Sequence, residues 1–172
     1  MHKQTLTGKD VDSRISFYNA CKEGYIEIVK LLLSDERIVG VNEINKDGKT
    51  AFCIACVQGH IEIVKLLLND ERIDISKENI YGETPFYIAC VHGQIEIVKL
   101  LLSDHRVDIN KTNKYGRTPF NRACENGYIE IVKLLLNDQR VDINRGDKYG
   151  ITPFYIACHW GRIEIVKYLL AC

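Results

Sequence analysis

The sequence predicts an all-α repeat solenoid, built from helix-turn-helix pairs joined by short β-hairpin-like arms. The main observation is a segment, Ile-Glu-Ile-Val-Lys, that recurs at almost constant spacing. It begins at Ile26, Ile61, Ile95, Ile129 and Ile163, so successive copies are 35, 34, 34 and 34 residues apart. A Gly-x-Thr motif and a later glycine recur in the same register. A period between about 20 and 50 residues is typical of stacked repeats. The 172 residues are therefore expected to form five similar units in one stack.

The first helix of each unit is predicted from its start and stop signals. In the third copy Thr84 precedes Pro85, and Gly93 follows about two helical turns later. A threonine hydroxyl accepts a hydrogen bond from a free backbone amide, and proline at the first helical position loses no needed donor. Glycine after the last turn supplies the left-handed conformation that ends a helix. Equivalent glycines are expected to end the other copies, namely Gly59, Gly127 and Gly161.

The second helix is apolar on nearly all sides. In the third copy its polar residues are Glu96, Lys99 and Ser103, which form one narrow stripe among isoleucine, valine and leucine. Such a helix must be covered on several sides, and neighbouring repeats provide that cover. The helix is followed by apolar alternation at Val107 and Ile109 and then by Asn and Gly turn residues. This pattern predicts a short extended arm and a tight turn.

The composition argues against several classes of protein. The chain is 46% hydrophobic and 27% charged, with 23 basic and 23 acidic residues, which excludes disorder for most of its length. A balanced charge argues against a nucleic-acid binder, because such proteins normally carry a basic surplus. No apolar run approaches the roughly 18 residues of a membrane span, and the start lacks the apolar core of a signal peptide. We therefore expect a cytoplasmic protein, with the nucleus not excluded, that binds neither nucleic acid nor membrane.

The seven cysteines are expected to be reduced. Five of them occupy one position of the repeat, which favours a repeated apolar packing role over disulfide bridges. These five are Cys21, Cys56, Cys90, Cys124 and Cys158.

The Gly-x-Thr-Pro-Phe motif and the second-helix segment resemble the ankyrin repeat family. The motif or its variants stand at 47–50, 82–86, 116–120 and 150–154. The resemblance covers roughly residues 13 to 172 and implies an N-terminal tail at 1–12 followed by an ankyrin repeat domain at 13–172. The approximate repeats are 13–47, 48–81, 82–115, 116–149 and 150–172.

The chain departs from the family pattern at two places. The family's Thr-Pro-Leu-His becomes Thr-Pro-Phe-Tyr at Tyr87 and Tyr155, which puts the customary histidine hydrogen bond in doubt. After the second helix, an Asp-x-Arg sequence places Arg72, Arg106 and Arg140 where a cation would cap the exposed carbonyls of a helix end.

The two ends of the repeat array differ in polarity. The first repeat carries polar residues on its first helix, including Arg14, Lys22 and Glu23, as suits a terminal cap. The fifth helix pair keeps apolar Phe154 and Ile163, as internal copies do, and no fifth arm follows. We expect either a longer array or a partner that covers this face.

No catalytic, metal or cofactor site is predicted. Cys53 and Cys56 have the spacing of a redox pair, but Cys56 is the repeat cysteine and no second pair follows at metal spacing. Cys158 and His159 are adjacent on a helix, where side chains diverge by about 100 degrees. The recurring second-helix glutamates are too regular for a single acid-base centre.

The residues that vary between copies are candidates for a partner-binding surface. They lie at the turn tips and at the ends of the first helices, which form the concave face in the family. Tyrosine, tryptophan and arginine are frequent interface anchors. The alternative is that the tyrosines reflect repeat duplication and pack on neighbouring turns. The predicted partner-binding residues are Tyr81, His92, Lys114, Tyr115, Arg117, Lys148, Tyr149, His159 and Trp160.

The resulting functional prediction is a non-enzymatic, monomeric scaffold that binds a protein partner on this concave face. The alternative is a regulatory ankyrin segment that acts in cis on a larger enzyme or channel. The sequence does not identify the partner, because a repeat scaffold shows its surface and not what binds there.

Overall fold

The computed structural model describes residues 8–36, 38 and 40–171, with side chains from residue 14 onward. Within these residues the chain forms ten helices in five pairs and no strand, which confirms the all-α repeat solenoid. Each first helix packs against the first helices of the neighbouring pairs, and each second helix against its own partner and the neighbouring second helices. The helices are α1 (Gly8–Glu23), α2 (Ile26–Ser34), α3 (Ala51–Gln58), α4 (Ile61–Leu68), α5 (Pro85–Val91), α6 (Ile95–Leu102), α7 (Pro119–Asn126), α8 (Ile129–Leu136), α9 (Pro153–His159) and α10 (Ile163–Leu170).

Helix α1 begins at Gly8, inside the tail that the repeat pattern predicts for residues 1–12. The repeat pattern could not reveal this extension, because the other first helices begin immediately after a threonine cap. The segment after Gly8 contains no proline, so its backbone can continue the helix without interruption. Residues 1–7 of the predicted tail lie outside the described residues.

Four first helices begin at a threonine cap. The hydroxyl of Thr84 accepts a hydrogen bond from the backbone amide of Tyr87 at 3.2 Å, and Thr50, Thr118 and Thr152 do the same in their copies. Gly59 ends α3 with φ of 78°, and a Cβ there would lie 2.6 Å from the Gln94 side chain. Both the predicted starts and the predicted glycine stops are therefore present.

The core is a continuous layer between the stacked pairs. Phe52, Phe86 and Phe120 are each 1% exposed, and the valines of the first four second helices are fully buried, whereas Val166 of α10 is only partly buried. Four of the repeat cysteines lie in this layer, while Cys158 is exposed; all described cysteines are unpaired. Burial raises the pKa of the Cys124 thiol to about 12. The cysteines thus pack as small apolar residues, as their repeat position predicts.

The Asp-x-Arg arginines bind the end of the preceding second helix. Arg72 Nη2 donates to the Leu33 carbonyl at 2.8 Å. In the next two repeats Arg106 donates to the Leu68 carbonyl at 3.0 Å and Arg140 to the Leu102 carbonyl at 2.8 Å. Each arginine is held in place by the aspartate two residues before it. The arginines thus cap helix-end carbonyls as predicted, but the capped helix belongs to the preceding repeat, so the contact joins one repeat to the next.

A second set of side chains caps the first helices in the same way. Gln94 Nε2 donates to the Val57 carbonyl at 2.9 Å, and Arg162 Nε donates to the Glu125 carbonyl at 2.9 Å. On the outer side, the Glu–Lys pair of every second helix closes at 2.7 to 2.8 Å. None of the helices in the described chain is both long and apolar enough to cross a membrane.

Candidate functional site

The turn tips are built on an asparagine or aspartate at their base. Asn113 Oδ1 accepts hydrogen bonds from the amides of Tyr115 and Arg117 at 3.0 and 3.1 Å, and Asn79 and Asp147 make the equivalent bonds. A side chain that bonds the backbone two and four residues later fixes the turn. Each tip is thus held by its own base residue.

Single backbone hydrogen bonds join successive tips. The Lys114 amide donates to the Tyr81 carbonyl at 2.9 Å, and the Lys148 amide donates to the Tyr115 carbonyl at 3.2 Å. Gly116 has φ of 79°, and a Cβ there would lie 2.8 Å from the Lys148 amide nitrogen. Glycine is therefore required both by the conformation and by the close approach of the next tip. The predicted β-hairpin-like arms are therefore turns, and each turn is joined to the next by one backbone hydrogen bond.

The three tip tyrosines are exposed. Their accessible fractions are 50% for Tyr81, 56% for Tyr115 and 81% for Tyr149. Half or more of each side chain is thus available to a partner, although the remainder of Tyr81 and Tyr115 is covered by the protein. The alternative interpretation, packing on neighbouring turns, accounts only for this covered part.

The tip lysines are exposed, and no ion pair among the described residues neutralises their charges. Lys46, Lys114 and Lys148 occupy the first position of their tips and have no ion-pair partner among the described residues. We call the four tip dipeptides 46–47, 80–81, 114–115 and 148–149 the tip row.

Arg117 is engaged within the protein. Its Nη1 lies 3.2 Å from Glu125 Oε2, and its Nε lies 3.5 Å from Asp147 Oδ2. Arg122 also binds the Glu125 carboxylate. The sequence groups Arg117 with the contact residues, and in the structure its guanidinium lies between the Glu125 carboxylate of the first helix and the Asp147 carboxylate at the base of the next tip.

Asp147 Oδ2 is buried and accepts no hydrogen bond. The equivalent Asn113 donates its Nδ2 to the buried Tyr87 hydroxyl at 2.9 Å, but a carboxylate cannot donate in this way. The Arg117 guanidinium is the cation beside this oxygen. The hydroxyl of Tyr87, which stands where the family has histidine, thus reaches the base of the next tip.

The two predicted histidines lie at the ends of first helices. His92 is exposed, and partial burial together with the nearby Lys49 lowers its pKa, while Glu83 opposes that shift. The His159 ring stacks on the Tyr155 ring, with ring centroids 6.0 Å apart. The His159 and Trp160 rings are nearly perpendicular, with centroids 5.5 Å apart. Trp160 is 52% exposed. The fifth pair thus presents an aromatic cluster, to which Tyr155 was not assigned from the sequence.

The buried thiols are poorly reactive. Burial raises the pKa of Cys53 to about 12, with smaller effects of Lys49 and Glu83, so this thiol is protonated at neutral pH. Thiolates, not thiols, act as nucleophiles and metal ligands. No group of three metal-ligating side chains occurs among the residues with described positions.

Stacked helix pairs with one row of rigid, exposed turn tips define a helical-repeat scaffold. A family model that describes three consecutive ankyrin repeats matches residues 17–113 and again residues 105–172. The chain belongs to the ankyrin repeat family. Ankyrin repeats generally mediate protein–protein interactions, and the family is typically non-enzymatic. No curated protein matches the chain.

Proposed function

We propose that this protein is a monomeric, non-enzymatic scaffold that binds a protein partner on the face formed by the turn tips and the ends of the first helices. The observation that carries the proposal is the row of three exposed tyrosines, Tyr81, Tyr115 and Tyr149, on hydrogen-bonded tips. This face corresponds to the concave face that the family resemblance implies.

Rigid presentation is the mechanism of this scaffold. Each tip is held by its base residue and by the neighbouring tip, so the receptor loses little conformational entropy when the partner binds. Tyrosine buries a large area with only two rotatable bonds and keeps a polar hydroxyl for hydrogen bonding. The tyrosines therefore act as the anchors of the contact.

The other proposed residues have different roles. Lys114 and Lys148 supply exposed charge beside the tyrosines, and His92, His159 and Trp160 extend the contact along the helix ends. Arg117 acts by positioning, because it ties Glu125 to the base of the next tip. Its replacement would alter the shape of the tip row rather than remove a direct contact.

The test compares proteins captured from native cell extract by the wild type and by a Tyr81→Ala, Tyr115→Ala double variant. Loss of two central anchors typically costs more than about 1 kcal/mol each, so the specific partners should fall tenfold or more by quantitative mass spectrometry. A Glu96→Gln, Lys99→Gln variant is the control, because both residues lie on the outer stripe. Equal capture by all three proteins would refute binding at the tips.

A second candidate is regulation in cis of an enzyme or channel domain. The observation that favours it is the exposed apolar face of the fifth pair, where Ile163 is 67% and Leu170 is 70% exposed. An Ile163→Gln, Leu170→Gln variant in the same capture experiment separates the candidates. Loss of binding in this variant, with retention in the tyrosine variant, would favour the docking of another domain on that face.

A further inference from the structure

The charges of the tip row are unbalanced once the internal pairs are removed. Lys46, Lys114 and Lys148 have no ion-pair partner among the described residues. In contrast, Glu125 is held by two arginines, and Glu83 accepts a hydrogen bond from Asn79 at 2.8 Å. Asp147 is buried beside Arg117. Asp47 at the first tip and Glu83 beside the second tip keep their negative charges, because the Asn79 amide that binds Glu83 is neutral. The third and fourth tips therefore present positive charge together with their tyrosines.

The spacing of the tips selects the conformation of a ligand that would follow them. Packed helices lie about 8 to 10 Å apart, and the hydrogen bond between the Lys148 amide and the Tyr115 carbonyl keeps neighbouring tips in register. A polyproline II segment has three residues per turn and advances about 9 Å per turn. Every third side chain of such a segment therefore lies on the same face, at a repeat distance close to that between packed helices. A β-strand repeats a face after about 7 Å and an α-helix after about 5.4 Å or, over two turns, about 10.8 Å, so the polyproline II repeat is the one that falls within the helix-packing distance.

The tip chemistry fits the same ligand. Aromatic side chains form the grooves that receive polyproline II segments, because the proline rings pack against aromatic faces. Tyr81, Tyr115 and Tyr149 are half or more exposed, and two of them directly follow a free lysine. At the second tip the lysine position is occupied by Ile80, which is 45% exposed. This tip would face an apolar ligand side chain.

We propose that the tip row binds an acidic protein segment in the polyproline II conformation, with two carboxylates three residues apart opposite Lys114 and Lys148. An apolar residue three positions further faces Ile80. This inference rests on the proposed function, since it names the partner of the same surface. A single-stranded nucleic acid would also meet the lysines with phosphates, but the equal numbers of acidic and basic residues favour a peptide.

The experiment uses three labelled proline-rich peptides and the full chain, measured by fluorescence anisotropy. The first peptide has two glutamates three residues apart and a valine three residues after the second glutamate. The second peptide has the same composition, but its two glutamates are adjacent. The third peptide is the first with both glutamates replaced by glutamine. We expect the first to bind at least tenfold more tightly than the others, with affinity that falls as salt rises. A Lys114→Gln, Lys148→Gln variant should lose this preference.

The matched control is Lys65→Gln, Lys99→Gln, which removes the same charge from the outer stripe and should bind as the wild type does. Unchanged melting temperatures establish that the variants are folded. Equal binding of the regular and permuted peptides, or tighter binding of polyuridine than of any peptide, would overturn the proposal. If no peptide binds while tyrosine-dependent capture persists, only the partner class fails; if capture is also independent of the tyrosines, the proposed function fails.

Discussion

The fourth and fifth helix pairs have similar sequences but different surroundings. Phe120 and Phe154 follow the same Thr-Pro sequence, yet they are 1% and 41% exposed. Cys124 is fully buried, whereas Cys158 is exposed. The side of the fourth pair on which these residues lie is covered by the fifth pair. A repeat of this kind therefore cannot bury all of its own apolar residues, because the neighbouring repeats supply part of the cover.

The polar contacts follow the same rule. Arg140 caps the end of α6 and Arg162 caps the end of α7, so both of these helix ends are completed by a residue from the following pair. Stability of such a stack is approximately a sum of unit and interface terms. The difference between equivalent residues in the two pairs therefore measures the interface directly.

The largest expected effect is on the phenylalanines. Phe120→Ala should lower the free energy of unfolding by about 3 to 5 kcal/mol, because it removes a buried ring and leaves a cavity. Phe154→Ala should cost only about 1 to 2 kcal/mol, because the ring is already partly in water. Urea denaturation of both variants measures the difference.

The two substitutions are chemically identical and follow the same cap, so each is the control of the other. Similarly large losses in both variants would show that the fifth pair is covered in solution. Similarly small losses in both would instead show that the stack rearranges around the missing ring.

Much of this arrangement was predictable from the sequence. The Thr-Pro starts, the glycine stops and the Glu–Lys stripe depend on neighbours within one repeat, and a repeat pattern makes them visible. The partners of Arg117 were missed, because Glu125 and Asp147 lie eight and thirty residues away in sequence and meet it only in the stack. The bond between Tyr87 and Asn113 was missed for the same reason. The capping by Arg140 was predicted, although the sequence did not say that the capped helix belongs to the preceding repeat.

The second prediction concerns alkaline pH and the buried Cys124. Burial raises the pKa of its thiol from an ordinary value near 9 to about 12. Below pH 9 the thiol is protonated in both states, so its contribution to stability is complete. Above pH 9 the unfolded chain loses the proton first, and the folded state loses about 1.4 kcal/mol per pH unit for this thiol until about pH 12.

The wild type and Cys124→Ala should therefore differ in slope, measured as the free energy of unfolding in urea at pH 8, 9, 10 and 11 with reductant present. Other buried thiols, including Cys21 and Cys53, titrate in both proteins and cancel in the comparison. The alanine variant should recover about 2 kcal/mol relative to the wild type between pH 9 and pH 11. Parallel curves would mean that Cys124 is solvated in the folded state, as Cys158 is in the fifth pair.

The smallest effect is expected from the arginine caps. Arg140→Ala removes the bond to the Leu102 carbonyl, and because this guanidinium is partly exposed the cost should be about 1 kcal/mol. Hydrogen exchange at the end of α6 should then approach that at the end of α10, where no side chain in the described chain caps the carbonyls. Gln139→Ala, at an exposed neighbouring position, should change neither quantity. If α6 stays protected without Arg140, helix packing alone holds the end, and the difference between inner and outer pairs lies in apolar burial.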